Sequence, residues 1–244
     1  MKANSELVVQ NITMAQIDSI FQGSINLDQD AIIFFIENLC KVSKAELLDT
    51  QNPRKFSLQC LVEVADLNMA RIRFVWSKIW QMLSAHFIEV GSHPNLMVSI
   101  FAIDSLRQLA DKFLIKDEFK KFNFQKDFLK PFEAIMLNNL MTRTDIKEYI
   151  VMCVTNISGT KTVYIKSGWS VIINIFTLAA QDTEEMLVQQ SFAALKLAVT
   201  NHFELLQENF VELVNCLNKY SMNTQFKKQS QEAQHLLLIC AEKL

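Results

Sequence analysis

Four aromatic-led stretches recur along this chain at a nearly constant spacing. VWSKIWQML, FLKPFEAIM, GWSVIINIF and NFVELVNCL begin at Val75, Phe128, Gly168 and Asn209, and their anchors Trp76, Phe128, Trp169 and Phe210 lie 52, 41 and 41 residues apart. Four positions after each anchor stands another apolar residue: Trp80, Phe132, Ile173 and Val214. A period near forty is the length of a HEAT or armadillo unit. One such unit cannot bury its apolar face alone, so neighbours must stack to make the core. The expected fold is all-α, a right-handed superhelical stack of helical hairpins with HEAT/armadillo-like repeats. A chain of this kind is usually a binding surface rather than a catalyst.

Composition agrees. With 244 residues, half of them apolar, the chain can bury a continuous core without disulfides or metals. Four Gly and three Pro are too few to turn a many-stranded sheet. The five cysteines are odd in number and form no CxxC pair, which fits a reduced compartment. No signal-peptide pattern opens the sequence and no window is apolar enough to span a bilayer, so the expectation is a cytosolic protein or a fragment of one. A net charge of -2 argues against nucleic acid, which needs a basic stripe to neutralise phosphates.

Read along the chain, residues 1–70 form an N-terminal helical cap with the first repeat helices, and residues 71–244 form one continuous solenoid of stacked hairpins. Asp28 is placed to cap DQDAIIFFIENLCKV. Ser43, with Glu46 three residues on, reads as the cap of a separate short helix, SKAELLDT. Pro94 suits the first position of the helix PNLMVSIFAIDSLRQLADKFL, and Pro131 either starts a new helix or kinks an old one. Asp182 and two glutamates open the helix DTEEMLVQQSFAALKLAVTNHF. Phe101, Ile150 and Phe192 fall on the first helices of the hairpins; Trp76, Phe128, Trp169 and Phe210 fall on the second ones. Trp76, Trp80, Phe101, Phe128, Phe132, Trp169 and Phe210 are therefore the expected structural anchors.

The usual catalytic and ligand patterns are missing: no GxGxxG, GxxxxGK, HExxH or GxSxG occurs, so neither an enzyme nor a cofactor or metal site is expected. His86 and His202 sit in apolar stretches and read as satisfied structural histidines sooner than as proton carriers. Cys153 and Cys216, in helix centres, read as packed thiols sooner than reactive ones. Asp104, Arg107, Asp111 and Lys112 share one flank of an apolar helix and must be paired, exposed or engaged with a partner. Arg71 and Arg73 pose the same question and could cap free carbonyls of neighbouring helices. From Asp104 to Lys130 the charge balance is +2, whereas from Asp182 to Leu213 it is -5. The mildly basic middle, at Arg107, Lys112, Lys116, Lys120 and Lys121, is the expected partner-binding face; solvated outer faces with no partner would give the same pattern.

The blocks PRKFSLQCLVEVADLNMARIRFVWSKIW, IFAIDSLRQLADKFL, FNFQKDFLKPFE and YIKSGW, in that order, closely resemble one family. It is the large Golgi guanine-nucleotide exchange factors for Arf GTPases, of the BIG or Sec-seven type, in the first homology segment after their catalytic domain. The resemblance runs from about Ile17 to Ala241. The sequence departs from the pattern at Met152, at Phe74 and Val75, and in the GTKTVY approach to KSGW. What the resemblance implies is a non-catalytic regulatory module without the exchange domain. Such a module restrains that domain and engages GTP-loaded Arf, other domains of the parent protein and the trans-Golgi network surface. A structural module for homodimerisation or intramolecular docking is the alternative, and binding to a membrane surface alone a third.

Overall fold

A computed structural model of the chain describes residues 13–116, 123–139 and 143–243. Among these residues every regular element is helical and no strand occurs. They fall into two compact units that divide between His86 and Phe87.

The first unit contains α1 (Met14–Gln22), a 3₁₀ turn (Gly23–Asn26), α2 (Gln29–Glu46), α3 (Phe56–Asn68) and most of α4 (Arg73–Gly91). Thr13 opens α1 with a capping box completed by Gln16. Asp28 caps α2 as expected, its carboxylate accepting from the Ala31 amide at 2.8 Å. Ser43 caps nothing. No helix breaker separates it from the residues before it, so α2 runs through to Glu46, and the buried Ser43 hydroxyl lies 3.0 Å from Nε2 of buried His86. Glu46 instead turns its carboxylate to the start of α3, accepting from the Ser57 amide at 3.0 Å, where an orphan N–H and the helix dipole both favour an anion.

Arg71 does the capping that NMARIR suggested. Its guanidinium donates to the carbonyls of Ser24, Ile25 and Leu27 at 2.7–3.0 Å and to Asn68 Oδ1 at 2.6 Å. Asn68 in turn donates to Ser24 Oγ and Val64 O. The end of α3 is thereby bolted to the turn after α1.

The second unit contains the end of α4, then α5 (Leu96–Phe113), α6 (Phe124–Asn138), α7 (Thr144–Thr160), α8 (Trp169–Ala179), α9 (Glu185–Asn201), a short helical turn (Phe203–Leu206), α10 (Phe210–Ser221) and α11 (Lys227–Glu242). They pack as two rows. In one, α5 touches α7, α7 touches α9 and α9 touches α11; in the other, α6 touches α8 and α8 touches α10. Consecutive helices bridge the rows, α9 and α10 through the Tyr220 hydroxyl, which donates to Ser191 at 2.7 Å. The cap of α5 is Asn95, whose side chain accepts from the Met97 and Val98 amides at 3.1 and 3.3 Å, which leaves Pro94 outside the helix rather than in its first turn. Pro131 lies buried inside an unbroken α6.

Hydrogen bonds between helix ends and connections repeat at about one period, as stacking demands. Asn138 donates to Ser92 and Arg143 to the His93 carbonyl, 46 and 50 residues away. Asn223 donates to the Ala180 carbonyl, 43 residues away. Close approach also shows at Gly91. A Cβ there would meet Ile135 Cγ1 at 2.8 Å and Cδ1 nearer still, so the last turn of α4 lies almost directly on a buried side chain of α6.

Candidate functional site

The mildly basic stretch begins on α5, whose buried stripe includes Val98, Ala102, Leu106, Leu109 and Phe113. That stripe leaves Asp104, Arg107 and Asp111 together on the half-buried flank. Arg107 bridges both acids, at 2.8 Å from Asp104 and 3.1 Å from Asp111, and Gln108 donates to the free oxygen of Asp104 at 2.7 Å. The hydrogen bond to Asp104 holds the Arg107 guanidinium still more firmly protonated, against the opposing effect of its partial burial. From α7, Tyr149 joins Asp104, and its hydroxyl titrates above the ordinary range, through burial first and the Asp104 charge second. The cluster lies where α5 packs against α7. Its charges are paired, so Arg107 is positioned as a brace between two acids.

Lys112 and Lys116 are exposed. Lys112 stands in the last turn of α5, where a cation complements the helix carbonyl end, a structural role that needs no partner. Lys120 and Lys121 lie outside the described residues.

Trp76, Trp80, Phe128, Phe132 and Trp169 are buried. Trp76 stacks on Trp80 at 5.9 Å, and Phe128 on Phe113 at 4.2 Å. Phe101 and Phe210 are half-buried. Phe210 touches Phe203 edge-on at 6.4 Å, while the buried stripe of its helix runs through Leu213, Cys216, Leu217 and Tyr220.

Two specific strings of the sequence, FNFQKDFLK and YIKSGW, turn out to meet each other. Buried Gln125 donates from Nε2 to the Tyr164 carbonyl at 2.8 Å and accepts at Oε1 from the Lys166 amide at 2.7 Å. Ser167 Oγ accepts from the Lys126 amide at 3.1 Å, satisfying a donor in the first turn of α6 from 41 residues away. A Cβ on Gly168 would stand 3.0 Å from Leu129, so the backbone approaches α6 as closely as a side chain permits. Sequence reasoning treated these strings as marks of identity and missed that they form a joint. Their spacing by one period was the available signal.

A second joint was also missed. Asp182, expected to open α9, stands ahead of it. One carboxylate oxygen accepts from the Thr183 and Glu184 amides, and the other meets Lys147 of α7 at 2.5 Å with both side chains buried. The helix begins only at Glu185, because the acid is engaged across the row.

The expected structural roles of His86 and the thiols have physical grounds here. His86 has Ser43 as its partner, and burial pushes Cys153 and Cys216 up to about 12, in Cys153 against the opposing charge of Arg107. Among the described residues no group of three or more His, Cys, Asp or Glu side chains is placed to hold a metal ion, and no helix is long and apolar enough to cross a membrane.

Comparison with known proteins gives this arrangement a context. A family model described as Mon2/Sec7/BIG1-like, HDS matches residues 112–197, from the end of α5 into α9, and so contains both joints. Brefeldin A-inhibited guanine nucleotide-exchange protein 1 of Homo sapiens is 44% identical over 237 residues, covering 96% of this chain. The rat protein of the same name is 43% identical over the same length, and Brefeldin A-inhibited guanine nucleotide-exchange protein 2 of Arabidopsis thaliana is 38% identical over 97% of this chain. The chain spans only 13% to 14% of the length of these relatives. It belongs to the Sec7-like HDS family, as a segment of the BIG type.

Proposed function

We propose that the chain is a non-catalytic regulatory and interaction module of an Arf exchange factor. One observation carries this reading: similarity to exchange proteins of animals and plants runs across nearly the whole chain, over 96% and 97% of it for the human and Arabidopsis relatives. In this reading residues 1–70 are a helical cap and residues 71–244 a right-handed HEAT/armadillo-like superhelix. The module restrains the exchange domain of the longer protein and helps recruit it to trans-Golgi network membranes, from the cytoplasm, by engaging GTP-loaded Arf. Product would then recruit more catalyst. Thermodynamically, that requires Arf-GTP to bind the released state more tightly than the restrained one, and the coupling must be reciprocal.

The contact face we assign is the basic stretch Arg107, Lys112, Lys116, Lys120 and Lys121, of which Lys112 and Lys116 are exposed. The test is nucleotide exchange on anionic liposomes with the longer protein, intact and lacking this region, together with the double variant Lys112→Glu, Lys116→Glu. The expected result is a changed exchange rate without the region and weaker recruitment by GTP-loaded Arf for the variant. Unchanged recruitment would remove the site. Concentration-dependent dimerisation with no affinity for GTP-loaded Arf would favour an assembly module instead.

A further inference from the structure

The edge of α10 that carries Phe210, Val211 and Val214 is unlike the same edge of the helices before it. α8 packs against α10, with Thr177 of α8 beside Cys216 of α10, so the edge of α8 that carries Thr177 is the one facing α10. Ile173 and Trp169, four and eight residues earlier, lie on the same edge, and both are buried. One period back, Phe128, Leu129 and Phe132 are buried as well. One period forward the positions of Trp169, Ser170, Ile173 and Thr177 are taken by Phe210, Val211, Val214 and Asn218: Phe210 and Val214 are half-buried, Asn218 is exposed and Val211 is 69% exposed. A largely apolar edge covered twice is only partly covered the third time.

The hairpin order gives the reason. Each helix of the first row is followed by its partner in the second, α5 by α6, α7 by α8 and α9 by α10. The helix α11 belongs to the first row, beside α9 and α10, and no second-row helix follows it among the described residues. The curated relatives are far longer than this chain, which spans 13% of the human one.

We propose that this edge of α10 is the docking surface for one further helix of the same polypeptide, from beyond the 244 residues, which lies in the second row after α10 and pairs with α11. Its recognition chemistry follows from its predecessors. α8 meets the core with Ile172, Ile175, Phe176 and Ala179, and α10 with Leu213, Cys216, Leu217 and Tyr220. The docking helix therefore carries apolar residues at i, i+3, i+4 and i+7, with a flank that accepts the Phe210 and Val214 side chains. The inference rests on the packing of the rows and not on the Arf reading.

Thiol labelling tests it without any GTPase present. Val211→Cys and, as an exposed reference, Met222→Cys are made in the 244-residue chain and in the full-length protein, and maleimide labelling of each position is quantified by peptide mass spectrometry. In the short chain the two positions label at similar rates. In the full-length protein position 211 slows at least about tenfold relative to 222, the protection expected of a covered helix face. An unchanged ratio overturns the proposal. So does protection that appears in the short chain as its concentration rises, since that would assign the edge to a second copy. Failure of Arf recruitment would leave the labelling ratio untouched, so the two readings fail separately.

Discussion

Gln125 holds the backbone around Lys166 with both ends of one side-chain amide, accepting from the Lys166 N–H at 2.7 Å while donating to the Tyr164 carbonyl at 2.8 Å. The bond ties the first turn of α6 to the connection before α8, a full period away, so it secures the seating of α8 on α6. Gln125→Leu keeps the bulk and removes both hydrogen bonds, leaving a buried donor and acceptor unmet. The expected loss is about 1–3 kcal/mol per unmet group, the upper part of it only if water is kept out. Ser167→Ala frees only the Lys126 amide and should cost about 0.5–2 kcal/mol, as for loss of a helix cap. Urea unfolding with an unchanged m-value measures both, and a Gln125→Leu chain as stable as the parent would show that the joint does not hold the hairpin.

The aromatic anchors differ in depth, and their truncation should differ accordingly. Trp169→Ala opens a cavity between helices that cannot collapse onto each other, at about 3–5 kcal/mol. Phe210 occupies the equivalent position one period later but keeps part of its ring in water. Phe210→Ala in the 244-residue chain should cost under about half as much, because less area is withdrawn from solvent. Equal losses in thermal or urea unfolding would mean that the edge of α10 is already covered.

These two residues also mark how far the sequence could be read. The period of about forty placed Trp76, Phe128, Trp169 and Phe210 on second helices of hairpins, and it did so because apolar side chains four apart lie on one edge of a helix. Periodicity cannot say which helix of a row lacks a neighbour, so Phe210 looked equivalent to Trp169. Arg71 was legible as a carbonyl cap, since its surroundings demanded a use for a guanidinium. Ser43 was not, because Ser followed three residues later by Glu fits a capping box equally well when helix and core have other uses for both. At the candidate site, Arg107 and its two acids were visible as neighbours at helical spacing. Their contact with Tyr149 depends on how α7 packs against α5, a long-range fact that spacing does not contain.

Lys147 and Asp182 make a buried ion pair that links α7 to the connection before α9. Removing one partner strands a charge in the interior, so Lys147→Met should cost about 3–5 kcal/mol, whereas a well-packed apolar replacement of both partners can be close to neutral. Asp182 also accepts from the Thr183 and Glu184 amides, so its replacement by an apolar residue gives up two further bonds. The double variant Lys147→Met, Asp182→Asn keeps an acceptor for those amides and should recover a substantial part of the loss. A double-mutant cycle in urea reads the coupling. Strict additivity would show that the pair does not act as a unit.

The cysteines should make the fold sensitive to alkali. Burial raises Cys153 and Cys216 from an ordinary value near 9 to about 12, so each keeps its proton in the folded chain where the unfolded chain has lost it. The unfolded state then binds fewer protons, and stability falls as pH rises. The contribution is complete below about pH 9 and is lost between 9 and about 12. Each thiol adds roughly 1 kcal/mol per pH unit to the slope inside that window. Cys40, also raised to about 12 by burial and then by Glu37, adds in the same direction. Urea midpoints measured from pH 8 to 10.5 in a reducing buffer should fall steadily, and the double variant Cys153→Ala, Cys216→Ala should start lower, for lost packing, and decline less steeply. It is the slope that decides. Parallel declines for both chains would mean that these thiols ionise as easily folded as unfolded, and that the interior of α7 and α10 is open to water.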